Sequence, residues 1–222
     1  MNPTDTRAQE SQLPTLTSLR WVAALLVFAY HAGAENLFAN HSVGRSLASV
    51  TAKAGAVGVS FFFVLSGFVL TWSAREGEPI PTFWRRRIAK IYPNHIASFI
   101  VALLLILRVG PLLPGGRVWS GAAANLFLVQ AWIPNPYVFI SVNGVSWSLS
   151  CEIFFYLTFP FWLGVVRRIP AQHLVWGFAL LVVLILGVPL VAAELPREPE
   201  LPWKAAPTYA YWFVYIFPPI RM

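Results

Sequence analysis

The sequence predicts an all-α, polytopic transmembrane helical bundle of about six spans plus one re-entrant segment, and three observations predict it. The chain is 57% hydrophobic and 15% aromatic but only 11% charged, with a mean hydropathy of +0.63, whereas a soluble domain keeps about a quarter of its residues charged. Its apolar residues fall into repeated runs of about twenty, the length a helix needs to cross a bilayer, without the alternating pattern of an outer-membrane barrel. The net charge is +7 and the pI near 10.0, yet Arg and Lys sit mostly beside the apolar runs, as topology determinants do. That distribution points to the lipid bilayer as partner and away from nucleic acid. The single cysteine, Cys151, excludes an intrachain disulfide framework and reads as a small buried hydrophobe.

Residues 1–15 are polar, mix Asp5, Arg7 and Glu10, and lack the apolar centre of a secretory signal, so they read as a cytoplasmic N-terminal tail. Residues 19–34 form the first span, entered through Arg20, and residues 35–55 a polar loop. The second span covers residues 58–72, where Ser66 and Gly67 offer a small surface for helix approach. The densest positive cluster follows: Arg75, then Arg85, Arg86, Arg87 and Lys90 in one short connection. The positive-inside rule places it in the cytoplasm, and with it the N-terminus. The third span, residues 91–107, runs outward.

Residues 122–133 are apolar but number only twelve, closer to a re-entrant element than to a crossing. Re-entry from the outside lets residues 147–166 run inward and puts Arg167 and Arg168 in the cytoplasm. Residues 174–193 then run outward, residues 194–207 form a proline-rich outer loop, and residues 209–220 begin an inward span that ends at Arg221. With a span that stops almost on the last residue, the expectation is a fragment of a longer protein or a truncated reading frame.

His31 and Glu152 lie well inside these spans, where ionisable residues are rare and by default functional. Arg20 and His31 are eleven residues apart, about three helical turns, so they share nearly one face with about 16 Å between them in height. Glu152, entering from the outside, lies roughly 10 Å below the edge of a hydrocarbon core about 30 Å thick. Its depth matches that of His31. The pair has the composition of a base and its orienting acid, although an intramembrane His or Glu also serves simply to hydrogen-bond a neighbouring helix. The cations of residues 85–90 act as topology signals and anionic-lipid contacts, and also stand where a cytosolic phosphate-bearing ligand would dock. Trp72, Trp84 and Trp147 read as interface aromatics, Ser148 and Ser150 as backbone-bonded, and His41, His95 and His173 receive no role. No metal-ligand spacing, nucleotide-binding glycine loop or nucleophile elbow is present.

Four segments in one order, RWVAALLVFAYH, GVSFFFVLSGFVL, FWRRRIAKIYP and WSLSCEIFFYLTFP, resemble the membrane acyltransferase 3 family, which includes the O-antigen and peptidoglycan O-acetylases. The resemblance covers residues 15–165 well. It implies an integral inner (plasma) membrane, multi-pass O-acyltransferase that takes an acyl group, such as acetyl, from cytosolic acyl-CoA as donor substrate. The acceptor would be a hydroxyl of an extracytoplasmic glycan or similar molecule, with no further cofactor and no metal. By position, His31 corresponds to the family's essential histidine, Arg20 to its paired arginine, Glu152 to the acid of the tryptophan-serine motif, and Arg87 with Lys90 to its basic pair. Lys90 stands where the family usually has a second Arg, keeping the charge without the planar fork. Members carry further spans, so residues 16–222 are expected to be a transmembrane acyltransferase domain incomplete at the C-terminus. Two other readings stay open on the residues alone: a transporter or lipid-carrier fragment with a His/Glu proton relay, and an inactive truncated pseudo-enzyme.

Overall fold

The computed structural model describes residues 14–34, 40–51, 53–75, 77–110, 118–202 and 204–221; residues 1–13 of the expected tail lie outside them. The chain forms two compact units, residues 1–76 and 77–222, and both are predominantly helical as expected.

The first unit contains α1 (Pro14–Ala34), α2 (His41–Thr51) and α3 (Ala54–Trp72). α2 corrects the expected loop at residues 35–55. Asn40 starts it, its side-chain oxygen accepting the Ser42 N–H at 3.0 Å, which satisfies a donor left over at a helix N-terminus. The helix is held to α1 by close backbone approach. A Cβ added at Gly33 would lie 2.9 Å from the Ala48 nitrogen, and the Thr51 hydroxyl reaches the Ala29 carbonyl at 3.4 Å. α3 packs on α1 through Gly55 and Gly58. A Cβ at Gly58 would meet the Ala23 carbonyl oxygen at 3.0 Å and Val27 Cγ2 at 2.9 Å. Ala23 is fully buried there. Small residues of this kind let apolar helices touch where no hydrophobic force between them exists in lipid. Gly58→Leu should therefore force α1 and α3 apart, costing at least about 1–3 kcal/mol, read as a lower midpoint of thermal unfolding in detergent. Gly164→Leu, at a position with nothing within 4 Å of the added Cβ, should leave the midpoint unchanged.

The second unit begins with α4 (Ile80–Val109), thirty residues long. It corrects the expected short basic connection: Arg85, Arg86, Arg87 and Lys90 lie on the opening turns of the same helix that carries the span. Pro81 suits the first helical turn, Arg, Lys, Ala and Ile carry the helix onward, and only Gly110, at φ +106°, ends it. Thirty residues make about 45 Å, more than a hydrocarbon core of about 30 Å, so the cationic end can extend beyond it.

The segment expected to re-enter is broken. α5 (Val118–Leu126) has nine residues, about 13 Å and too short to cross. A turn with Leu128 at φ +56° follows, then single 3₁₀ turns at Gln130–Trp132 and Gly144–Ser146 on either side of α6 (Pro136–Phe139). Buried polar side chains satisfy this irregular backbone, as they must in an apolar surrounding. The Asn125 amide donates to the Ser141 carbonyl and the Ser146 hydroxyl, both at 2.8 Å. Gln130 donates to the same hydroxyl at 3.1 Å, and His95 Nε2 on α4 donates to the Asn125 carbonyl at 3.0 Å. His95, Asn125, Gln130 and Ser146 are all at most 1% exposed.

α7 (Trp147–Val166) and α8 (Leu174–Ala193) follow. A short antiparallel pair, β1 (Glu200–Leu201) with β2 (Lys204–Pro207), is the exception to the all-helical pattern. The span expected at residues 209–220 is split into α9 (Thr208–Tyr215) and α10 (Pro218–Arg221), because Pro218 and Pro219 cannot continue the ladder and disfavour a helical Phe217. The Cys151 thiol donates to the Ile216 carbonyl at 3.3 Å, and Trp212 donates to the Ala131 carbonyl at 2.8 Å, so this break is fixed against α7 and the irregular segment. Among the described residues four helical stretches are long and apolar enough to cross a membrane: Ala54–Trp72, Ile80–Val109, Gly144–Val166 and Ala171–Ala193. α1, with 21 residues, also has the length of a span. None of the most apolar stretch of α8 is buried in protein, so its surface suits contact with lipid.

Candidate functional site

The expected site residues are distributed over both units. Arg20 and His31 belong to α1, the first in its early turns and the second in its last turn, and both are half-buried. The His31 ring stands edge-on to Tyr30, with centroids 5.1 Å apart at 71°. Arg87, Lys90 and Glu152 belong to the second unit, where α4 and α7 bring two of them together.

The cations of α4 occupy different surroundings, which a linear reading treats as one cluster. Arg85 and Lys90 are exposed. Arg86 forms an ion pair with Glu78. Arg87 is half-buried, its guanidinium carbon 5.4 Å from the centre of the Phe83 ring and 5.9 Å from that of Tyr156, distances at which a ring face attracts a cation. Phe83 lies one helical turn before Arg87, so the first contact follows from four-residue spacing on α4. The second crosses to α7.

Glu152 and Tyr156 are likewise four residues apart, on one face of α7. The Tyr156 hydroxyl donates to Glu152 Oε1 at 2.5 Å, within the range of a hydrogen bond to an ionised acceptor. Glu152 is half-buried, Tyr156 only 7% exposed, and both lie within electrostatic reach of Arg87. The two helices are registered by Trp84, whose indole N–H donates to the Tyr156 carbonyl at 3.1 Å, and by the stacked pair Phe83 and Phe159, 5.7 Å apart. The result is an acid and a guanidinium beside one tyrosine, backed by an aromatic wall. Such an arrangement keeps a carboxylate directed and a cation partly stripped of water, where its pull on a negative charge is stronger than in bulk solvent.

Sequence reasoning missed Tyr156 and Phe83, although the four-residue spacings Phe83 to Arg87 and Glu152 to Tyr156 carried the signal. It read Trp84 only as an interface aromatic, and it gave His95 no role where the structure buries it in the polar network. Ser148 bonds backbone as expected, donating to the Val145 carbonyl at 3.0 Å. The Ser150 hydroxyl instead is buried without a hydrogen-bond partner among the described residues. Those residues contain no cluster of three or more His, Cys, Asp or Glu side chains able to hold a metal ion.

A helical membrane chain with a directed acid beside a half-buried guanidinium belongs among integral-membrane proteins with an ionisable interior. More particularly, it belongs to the acyltransferase 3 family, whose sequence profile, described as an acyltransferase domain, matches residues 13–217. The chain is 47% identical over 212 residues to Acyltransferase MdmB of Streptomyces mycarofaciens, covering 95% of this chain and 54% of that protein. It is 29% identical over 178 residues to the Peptidoglycan O-acetyltransferase OatA of Listeria monocytogenes, covering 73% of this chain and 26% of that one. Similarity to the O-acetyltransferase OatA of Staphylococcus aureus is 25% over 193 residues, with 81% and 29% covered. The chain thus spans about half the length of the first of these relatives and about a quarter of the other two. No solved structure matches it.

Proposed function

We propose that the protein is an inner-membrane O-acyltransferase that moves an acyl group from cytosolic acyl-CoA to a hydroxyl of a glycan or similar acceptor, with its N-terminus in the cytoplasm. The observation that carries the reading is the meeting of Arg87 and Glu152 at Tyr156, in a chain matched over residues 13–217 by an acyltransferase profile. In this reading His31 takes the proton of the acceptor hydroxyl as general base. The oxygen forms a bond to the thioester carbonyl carbon, the carbon–sulfur bond breaks, and the departing thiolate recovers a proton from the imidazolium. Glu152, held by the Tyr156 hydroxyl, serves the transfer step as a directed carboxylate. Arg20, Arg87 and Lys90 engage the phosphates of the donor, Arg87 through its planar fork and Lys90 as a point charge. Transfer through an acyl-histidine would use the same groups in two steps.

Membranes carrying the protein, incubated with acyl-CoA labelled in its acyl group, should release CoA and yield label on a hydroxyl-bearing acceptor in equal amounts. Ion- or pH-coupled flux without consumption of acyl-CoA would replace this reading with that of a transporter. Intact acyl-CoA with neither activity would favour the inactive pseudo-enzyme.

A further inference from the structure

Tyr156 does two things with one side chain. Its hydroxyl donates to Glu152 Oε1 at 2.5 Å, and its ring lies 5.9 Å from the Arg87 guanidinium carbon. The residue is only 7% exposed, and its backbone carbonyl is fixed by the Trp84 indole at 3.1 Å, so neither contact belongs to a side chain free to swing in solvent. Leu or Met would fill the space with neither contact. Phe would supply the ring without the hydroxyl and its hydrogen bond to Glu152 Oε1. The hydroxyl acts on a group of its own helix, the ring on a group of α4.

We infer that Tyr156 is a positioning residue that sets the acid and the donor-binding arginine together, its hydroxyl holding the Glu152 carboxylate in one orientation and its ring holding the Arg87 guanidinium. This deepens the acyltransferase reading and rests on it. The two contacts are chemically separable, so the roles are too. Loss of the hydroxyl loosens the acid that serves the transfer step. Loss of the ring also loosens the cation that holds the donor.

The test compares Tyr156→Phe and Tyr156→Leu in the full chain, using labelled acetyl-CoA as donor and protein amount in the membrane as the reference. Tyr156→Phe should lower kcat by about tenfold, the scale of one hydrogen bond to a charged group, with KM for acetyl-CoA unchanged. Tyr156→Leu should lower kcat as far and also raise that KM by several-fold. An unchanged kcat in Tyr156→Phe, or KM rising equally in both variants, would overturn the inference while leaving the acyltransferase reading intact. A wild-type protein that consumes no acetyl-CoA would overturn that reading and, with it, the positioning role.

A second measurement reads the contact without activity. In detergent, Tyr156→Phe should lower the melting midpoint of Glu152→Leu by less than it lowers that of the wild type, because the hydrogen bond between the two side chains is already gone there. Additive midpoints would show that the hydroxyl is not coupled to Glu152 and would sink the proposal by themselves.

Discussion

His31→Ala should reduce acyl transfer by about 10²–10⁴-fold, the range that loss of a general base commands, while the protein still inserts into membranes at the wild-type level. The argument for intact insertion is local. His31 is half-buried in the last turn of α1, Ala is the strongest helix former, and the close packing of α1 runs through Ala23, Val27 and Gly33 instead. The argument for lost transfer is chemical. An alcohol is a poor nucleophile at neutral pH, and the reaction needs a group that accepts its proton and then returns it. His31→Gln sharpens the test, since its amide hydrogen-bonds without accepting the proton. Both variants should fail alike, measured as label leaving acyl-CoA per unit of protein in the membrane. Transfer within about twofold of wild type in either would remove His31 from the proposed chemistry.

What the sequence made legible follows from which forces act along a chain and which act across it. The apolar runs that became α3, α7 and α8 were readable because a span must be long and continuously apolar, a one-dimensional property. The twelve-residue length of residues 122–133 likewise announced a segment too short to cross, and α5 with its following turns is such a segment. The basic stretch was readable as charge but not as environment: one run of cations contains an exposed Lys90, a paired Arg86 and a half-buried Arg87, because α4 continues through it and each residue faces a different neighbour. The polar network of His95, Asn125, Gln130 and Ser146 was illegible for a related reason. Its members come from four stretches of chain, and no spacing joins them. Asn40 shows a weaker failure, since Asn followed by a periodic run is a helix-start signal that the polar composition of residues 35–55 masked. The Tyr156 contacts lie between the two cases, with Glu152 readable at four-residue spacing and Arg87 readable only once α4 and α7 are packed.

The other large expected effect lies at Arg87, and three substitutions separate what its side chain does. Arg87→Lys keeps the charge but loses the fork that grips a phosphate at two points and the flat face that lies against Phe83 and Tyr156. It should raise KM for acyl-CoA by about 10-fold or more, since a hydrogen bond to a charged group contributes about 1.5–3 kcal/mol and every 1.4 kcal/mol is tenfold. Arg87→Ala removes the charge as well, and should raise KM further while lowering the melting midpoint. Lys90→Ala, at an exposed position, should raise KM by a smaller factor and leave the midpoint where it was, because a solvated side chain contributes little to the fold. Steady-state kinetics over a range of acyl-CoA concentrations, with the acceptor held constant, reads all three. If Arg87→Lys bound the donor as well as the wild type, the half-buried guanidinium would be a strut between α4 and α7 and not a phosphate ligand, and the donor site would have to be sought among the exposed cations of α4. Salt gives an independent check. Docking through exposed cations weakens steeply as ionic strength rises, whereas docking that depends on a half-buried guanidinium is screened less, so a shallow dependence of KM on salt in the wild type that steepens in Arg87→Lys is the pattern expected.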